Sequence, residues 1–263
     1  MICKVERPHV GGLGNGSRLV IRPGFPVDKS RFSFGGGAHL TGWQRWIPLT
    51  GILFVILFVG AIFLASLPGG DDSDQEVLDW YTDSGNRTSA VISAYLWVIA
   101  SLLLVIFVNR LRYVIQDAEG GTPLFATGAF AGGIGAAFCL IVAAMAFAAI
   151  PAGIEFGDDP PPTSVDVPRA FNSLGFGLQL VGMMFMAIVT ILSTAAASFR
   201  YRLFPTWFNW LSIICAIALL FAVIFLPGIA LLIWLVVASI LLFQRQPATA
   251  RQNLPGGSAS GAA

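Results

Sequence analysis

Residues 204–243, FPTWFNWLSIICAIALLFAVIFLPGIALLIWLVVASILLF, contain no charged side chain, and Arg200, Arg202 and Arg245 flank them. As one straight helix this stretch would measure about 55–60 Å at 1.5 Å per residue. A hydrocarbon core of about 30 Å takes roughly 20 residues, so the stretch is too long for a single crossing. Its internal break is Pro227-Gly228, where Pro cannot continue a helix and Gly accepts an unusual φ. The pattern predicts a helical hairpin that crosses over 207–226, turns at Pro227-Gly228 and returns over 229–244. Both basic ends then lie on one side.

The rest of the chain has the same character. Of its 263 residues, 56% are hydrophobic and 11% charged, against about 25% charged in soluble domains. Mean hydropathy is +0.78. The reading is an all-α, polytopic transmembrane helical bundle whose partner is the lipid bilayer. A net charge of +1 gives no basis for a nucleic-acid partner. Three cysteines make no disulfide framework,. Cys139 and Cys215 fall in apolar spans, where a thiol behaves as a small hydrophobe. No metal or cofactor is expected.

Four further apolar runs precede the hairpin, at 47–67, 90–109, 125–150 and 171–198, giving six spans within a domain of residues 45–245. The sixth is the shortest and is expected to complete its crossing as Gln244 and Arg245 snorkel. Trp43 and Trp46 stand at the start of the first span and Trp207 and Trp210 at the start of the fifth, as interfacial anchors. Thr88 and Ser89 are candidate N-caps for the second span. The tails, 1–44 and 246–263, are expected to be disordered because they bury too little apolar surface to offset ordering entropy. No signal-peptide pattern opens the chain, so no cleavage is expected. The next Met after Met1 is Met145, so a later start would need a non-Met codon; whether 1–44 belong to the expressed protein stays open. Gly11-Gly12-Leu13-Gly14-Asn15-Gly16 follows no predicted strand and precedes no helix, so it reads as flexible tail rather than a nucleotide loop.

Charge sets the orientation. Thirteen of the fifteen Lys and Arg residues lie in the two tails and the second and fourth loops. The first and third loops hold only Arg87 and Arg169, with ten of the fourteen acidic residues. Basic loops stay cytoplasmic, so both termini are expected inside.

In the first outer loop, Ser73-Asp74-Gln75-Glu76 has capping-box spacing. Behind it Val77, Trp80 and Tyr81 share a helical face. This predicts a short amphipathic helix over 74–82 on the outer surface, with Trp80 at the headgroups and Gly85-Asn86 ending it. Asp72, Asp74, Glu76 and Asp83 match carboxylate positions of a calcium loop, but Val77 stands where that loop needs Gly, so loose cation attraction is the preferred reading. Residues 155–162 read as a stiff acidic connector. Asn86-Arg87-Thr88 fits a glycosylation sequon.

No span carries Asp, Glu, Lys, Arg or His, the residues an ion-coupled carrier or proton pump uses at depth. Neither HExxH nor an intramembrane Asp pair nor a Ser/His combination points to hydrolysis. Gln179 is the most polar group at depth; an interhelical hydrogen bond is expected of it, with lining of a solute path as the alternative. In the third span, Gly128-x-x-x-Gly132 and Ala131-x-x-x-Gly135 put small residues on adjacent turns, so that helices can approach closely. The third and fourth spans should form the tight centre; homo-oligomerisation through the third span is the alternative. Met183, Met184 and Met186 read as adaptable packing.

Phe204-Pro205-Thr206-Trp207-Phe208-Asn209-Trp210, preceded by Arg200 and Arg202 and followed by a Leu/Val-rich last span ending at Gln244-Arg245, carries a family likeness. The chain resembles, over roughly residues 43–245, the small six-helix bacterial integral membrane proteins in which a P-x-W-x-x-W element opens the fifth helix. Many relatives have Gly where this chain has Asn209. The resemblance implies a bacterial inner membrane location and no catalytic or binding residues. The functional expectation is a non-enzymatic structural or regulatory membrane protein; the alternative is a channel or carrier for a small neutral or weakly polar solute.

Overall fold

The computed structural model describes residues 46–221 and 228–245. The two tails, Trp43 and residues 222–227 with Pro227 lie outside the described residues. Among the described residues every regular element is helical. A 3-10 turn, Ile47–Leu49, leads into α1 (Thr50–Ala65), followed by α2 (Asp74–Thr82), α3 (Ser84–Glu119) and α4 (Leu124–Gly157). Then come α5 (Asp166–Gly177), a π turn (Leu178–Gly182), α6 (Met183–Tyr201), α7 (Thr206–Leu219) and α8 (Ile229–Gln244). Four helices are long and apolar enough to cross a membrane: Ile47–Ala65, Ser84–Glu119, Leu124–Gly157 and the continuous Asp166–Tyr201. Helices α7 and α8 are apolar but shorter.

Element ends follow local hydrogen bonding. Ser73 caps α2 as expected: Ser73 Oγ accepts from Glu76 N–H at 3.3 Å, and Glu76 Oε2 accepts from Ser73 N–H at 2.8 Å. The start of α3 differs from expectation. Asp83, not Thr88 or Ser89, is its N-cap, with Oδ1 accepting from Gly85 N–H at 2.7 Å and Asn86 N–H at 3.1 Å. Gly85 and Asn86 therefore open α3 rather than end α2. A carboxylate satisfies free first-turn amides better than a hydroxyl further along can. At its other end α3 runs ten residues beyond the expected 109, past Arg110 and Arg112, and stops at Gly120 with φ +62°. Helix α4 continues through Pro151 to Gly157, so part of the expected connector is helical. Regular helix in α7 ends at Leu219, short of the expected 226.

The helices close a ring: α4 packs on α3 and α6, α3 on α1, α6 on α7, and α8 joins α7 to α1. The α3–α4 contact is the most extensive, ahead of α4–α6, so the second span shares the centre expected of the third and fourth. Phe54, Phe107, Phe147, Phe208 and Trp234 are fully buried in this core. Polar side chains at depth mostly satisfy themselves. The hydroxyls of Ser101, Thr194, Ser212 and Ser239 each donate to the carbonyl four residues back, at 2.6–2.8 Å, the usual way a helix accommodates Ser and Thr.

Candidate functional site

The ring's centre is where a solute path would run. It is lined by Leu104, Phe107 and Val108 of α3, Ala136 of α4, Thr190 of α6 and Trp234 of α8. The space left is about 20 Å³, room for roughly one water. Trp234 Nε1–H donates to Ser212 Oγ at 2.8 Å and its ring stacks on Phe208 at 5.9 Å, which fixes the indole across the centre.

The glycine stripe of α4 explains the tight closure. A Cβ on Gly132 would stand 2.7 Å from the Met186 carbonyl oxygen and from Thr190 Oγ1, and 2.8 Å from the Thr190 nitrogen. Two of these three atoms are backbone and cannot swing away. At the same crossing Thr190 Oγ1–H donates to the Ala129 carbonyl at 3.1 Å. Gly128 faces Ser193 Oγ at 2.6 Å and Gly135 the Met186 thioether at 2.9 Å by the same measure. All three glycines thus face α6 of their own chain.

Gln179 sits in the π turn, where Met183 N–H donates to the Leu178 carbonyl five residues back. Such turns often mark functional positions. The side chain is 5% exposed. Its expected interhelical hydrogen bond is not formed among the described residues. The carboxamide instead borders a cavity of about 50 Å³ walled by Phe58, Ile62, Leu180, Met184 and Leu232. Gln179 is the only polar side chain on that cavity's wall among the described residues.

The first and third loops form a tied cap. Arg87 Nε pairs with Glu155 Oε1 at 2.7 Å, and Arg87 Nη1 donates to the Tyr81 and Thr82 carbonyls at 2.8 Å each. Arg169 Nη1 pairs with Asp74 Oδ1 at 2.8 Å, and Arg169 Nη2 donates to the Asp72 carbonyl at 2.9 Å. Neither arginine was assigned a role from the sequence, yet their isolation among acids was the available signal. The four calcium-loop carboxylates have separate duties: Asp72 accepts from Gly69 N–H, Asp74 meets Arg169, Glu76 closes the capping box and Asp83 caps α3. Hydrogen bonds from Ser73 N–H and Oγ–H lower the pKa of Glu76. Tyr81 is 1% exposed. Burial pushes its phenol up to about 12, only partly offset by Asn172 beside it. Among the described residues Asn172 Oδ1 has no hydrogen-bond partner. Trp80 is half-buried and its Nε1–H donates to the Ser66 carbonyl at 2.9 Å.

At the opposite end Glu119, the last residue of α3, accepts from Phe125 N–H at 2.7 Å and Ala126 N–H at 3.1 Å, capping α4. Trp46, Trp207 and Trp210 at this end are 59%, 55% and 58% exposed. Comparison with protein-family models, curated proteins and solved structures gave no match to this chain.

Proposed function

We propose that the chain is a non-enzymatic integral membrane protein of structural or regulatory role, with six crossings and both ends on the cytoplasmic side of a bacterial inner membrane. The tightly packed centre supports this reading: the space between α3, α4, α6 and α8 is about 20 Å³, room for roughly one water,. The charge segregation supports the orientation. Helices α7 and α8 supply the fifth and sixth crossings, with Trp207 and Trp210 at the headgroups. The outer cap supports a rigid, packed role, because Arg87, Arg169 and the acids facing them are engaged in caps and ion pairs.

A second reading, a carrier for a small neutral solute, is favoured by one observation: the unbonded Gln179 carboxamide at a cavity in a π turn. One polar side chain in an apolar wall is thin for a binding site, which usually converges several. The deciding experiment is flux of a mixed panel of neutral and cationic solutes in proteoliposomes. No flux keeps the packed reading; flux that Gln179→Leu abolishes replaces it with the carrier. Single cysteines placed at Asp79 and Gln244, labelled by impermeant maleimide in intact cells, test the orientation. Labelling of the first alone is expected.

A further inference from the structure

An open cleft lies between the α6–α7 junction and the end of α8, with a volume of about 390 Å³. Arg202, Gln244 and Arg245 line it together with Leu203, Phe204 and Leu241, and no carboxylate does among the described residues. Leu203 and Phe204 are each 5% exposed, so the floor is apolar and the polar groups stand at the rim. Arg245 is held in place: its guanidinium lies 5.0 Å over the Phe204 ring, and Nη2 donates to the Arg202 carbonyl at 3.4 Å. Among the described residues its remaining N–H groups meet no acceptor.

Arg202 occupies the residue after α6 with φ +53° and ψ +42°. That left-handed position suits Gly and costs a branched or long residue roughly 1 kcal/mol. Ser66 and Asp158, the other non-Gly residues with positive φ among those described, are short polar residues, which tolerate it better. Arg202 and Arg245 both border this space and no carboxylate does among the described residues, so an anion held there would meet two cations and no competing acid.

We propose that this cavity binds a phosphate anion between Arg202 and Arg245. The fitting source is a phospholipid head group, whose glycerol and first methylenes would lie on Leu203, Phe204 and Leu241. A basic pocket between helices at the headgroup level is the physical form such sites take. The lipid source rests on the membrane reading above; the anion site itself does not.

The test is thermal unfolding of the full chain in a neutral detergent, titrated separately with phosphatidylglycerol, phosphatidylcholine and inorganic phosphate. Phosphatidylglycerol should raise Tm by roughly 2–4 °C and phosphatidylcholine should not. The Arg202→Gly/Arg245→Gln protein should lose the rise. Arg202→Gly alone should have an unliganded Tm at or above that of the wild type, since Gly relieves that φ, together with a smaller phosphatidylglycerol rise, which separates lost binding from lost folding,. A rise with inorganic phosphate that the double variant loses would support the anion site and assign it to the free ion. A rise that survives in the double variant, an equal response to phosphatidylcholine, or no rise with any titrant overturns the proposal. The maleimide-labelling experiment reads the membrane orientation independently, so either can fail without the other.

Discussion

Arg87 and Glu155, 68 residues apart in the chain, meet at 2.7 Å where the start of α3 passes the end of α4. The arginine also holds the last carbonyls of α2, so one side chain joins three helices. Arg87→Ala would leave a largely shielded carboxylate and two carbonyls without their donor. A loss of about 2 kcal/mol is expected, since the site is partly open to solvent. Glu155→Gln keeps an acceptor and should cost less than half as much. Denaturant unfolding of both variants in one detergent measures the difference; equal losses would contradict this account of Arg87.

Gly132 and Gly60 make a matched pair. A Cβ at Gly132 collides with α6 backbone, whereas at Gly60 it meets nothing within 4 Å. Gly132→Ala should lose about 1–3 kcal/mol through overpacking, and Gly132→Leu should not give a monodisperse protein. Gly60→Ala should be neutral or gain up to about 1 kcal/mol from helix propensity. Size-exclusion profiles and unfolding curves distinguish the two sites.

Tyr81 gives a pH signature. Its folded value of about 12 exceeds the ordinary 10.0, so the unfolded chain releases the proton first. Its contribution is complete below pH 10 and is lost as pH rises toward 12, by at most about 1.4 kcal/mol per pH unit. In a tyrosinate absorbance titration, the difference between wild type and Tyr81→Phe should rise near pH 12. A difference centred at 10 would mean that Tyr81 is solvated.

Asn209 is 3% exposed, and its Oδ1 has no hydrogen-bond partner among the described residues. A buried acceptor left unmade costs about 1–3 kcal/mol, and Ala is the better helix former. Asn209→Ala should therefore be neutral or stabilising by about 1 kcal/mol, despite the smaller side chain. A clear drop in Tm would show that Asn209 is engaged in the folded protein.

Local and periodic features were legible in the sequence. Ser73 and Glu76 form the expected capping box because the whole device spans four residues. Gly132 could be recognised as a packing residue, because close helix approach needs small side chains at that spacing. Its meeting with α6 agrees with the expected pairing of the third and fourth spans, whereas the still larger α3–α4 contact was not legible, since spacing fixes a face but not every neighbour. Thr88 and Ser89 lost to Asp83 because a cap is selected by where the preceding chain turns, and α2 ends immediately before Asp83. The partners of Arg87 and Arg169 lie 68 and 97 residues away and leave no short-range trace. The π turn at Gln179 has no residue pattern of its own.

Glu119 and Arg87 stand at opposite ends of α3, and each grips an end of α4: Glu119 the first amides, Arg87 the carboxylate of Glu155. Two antiparallel rods fastened at both ends can neither slide past each other nor scissor open without releasing a fastening. They behave as a single strut, about 54 Å long for the 36 residues of α3,.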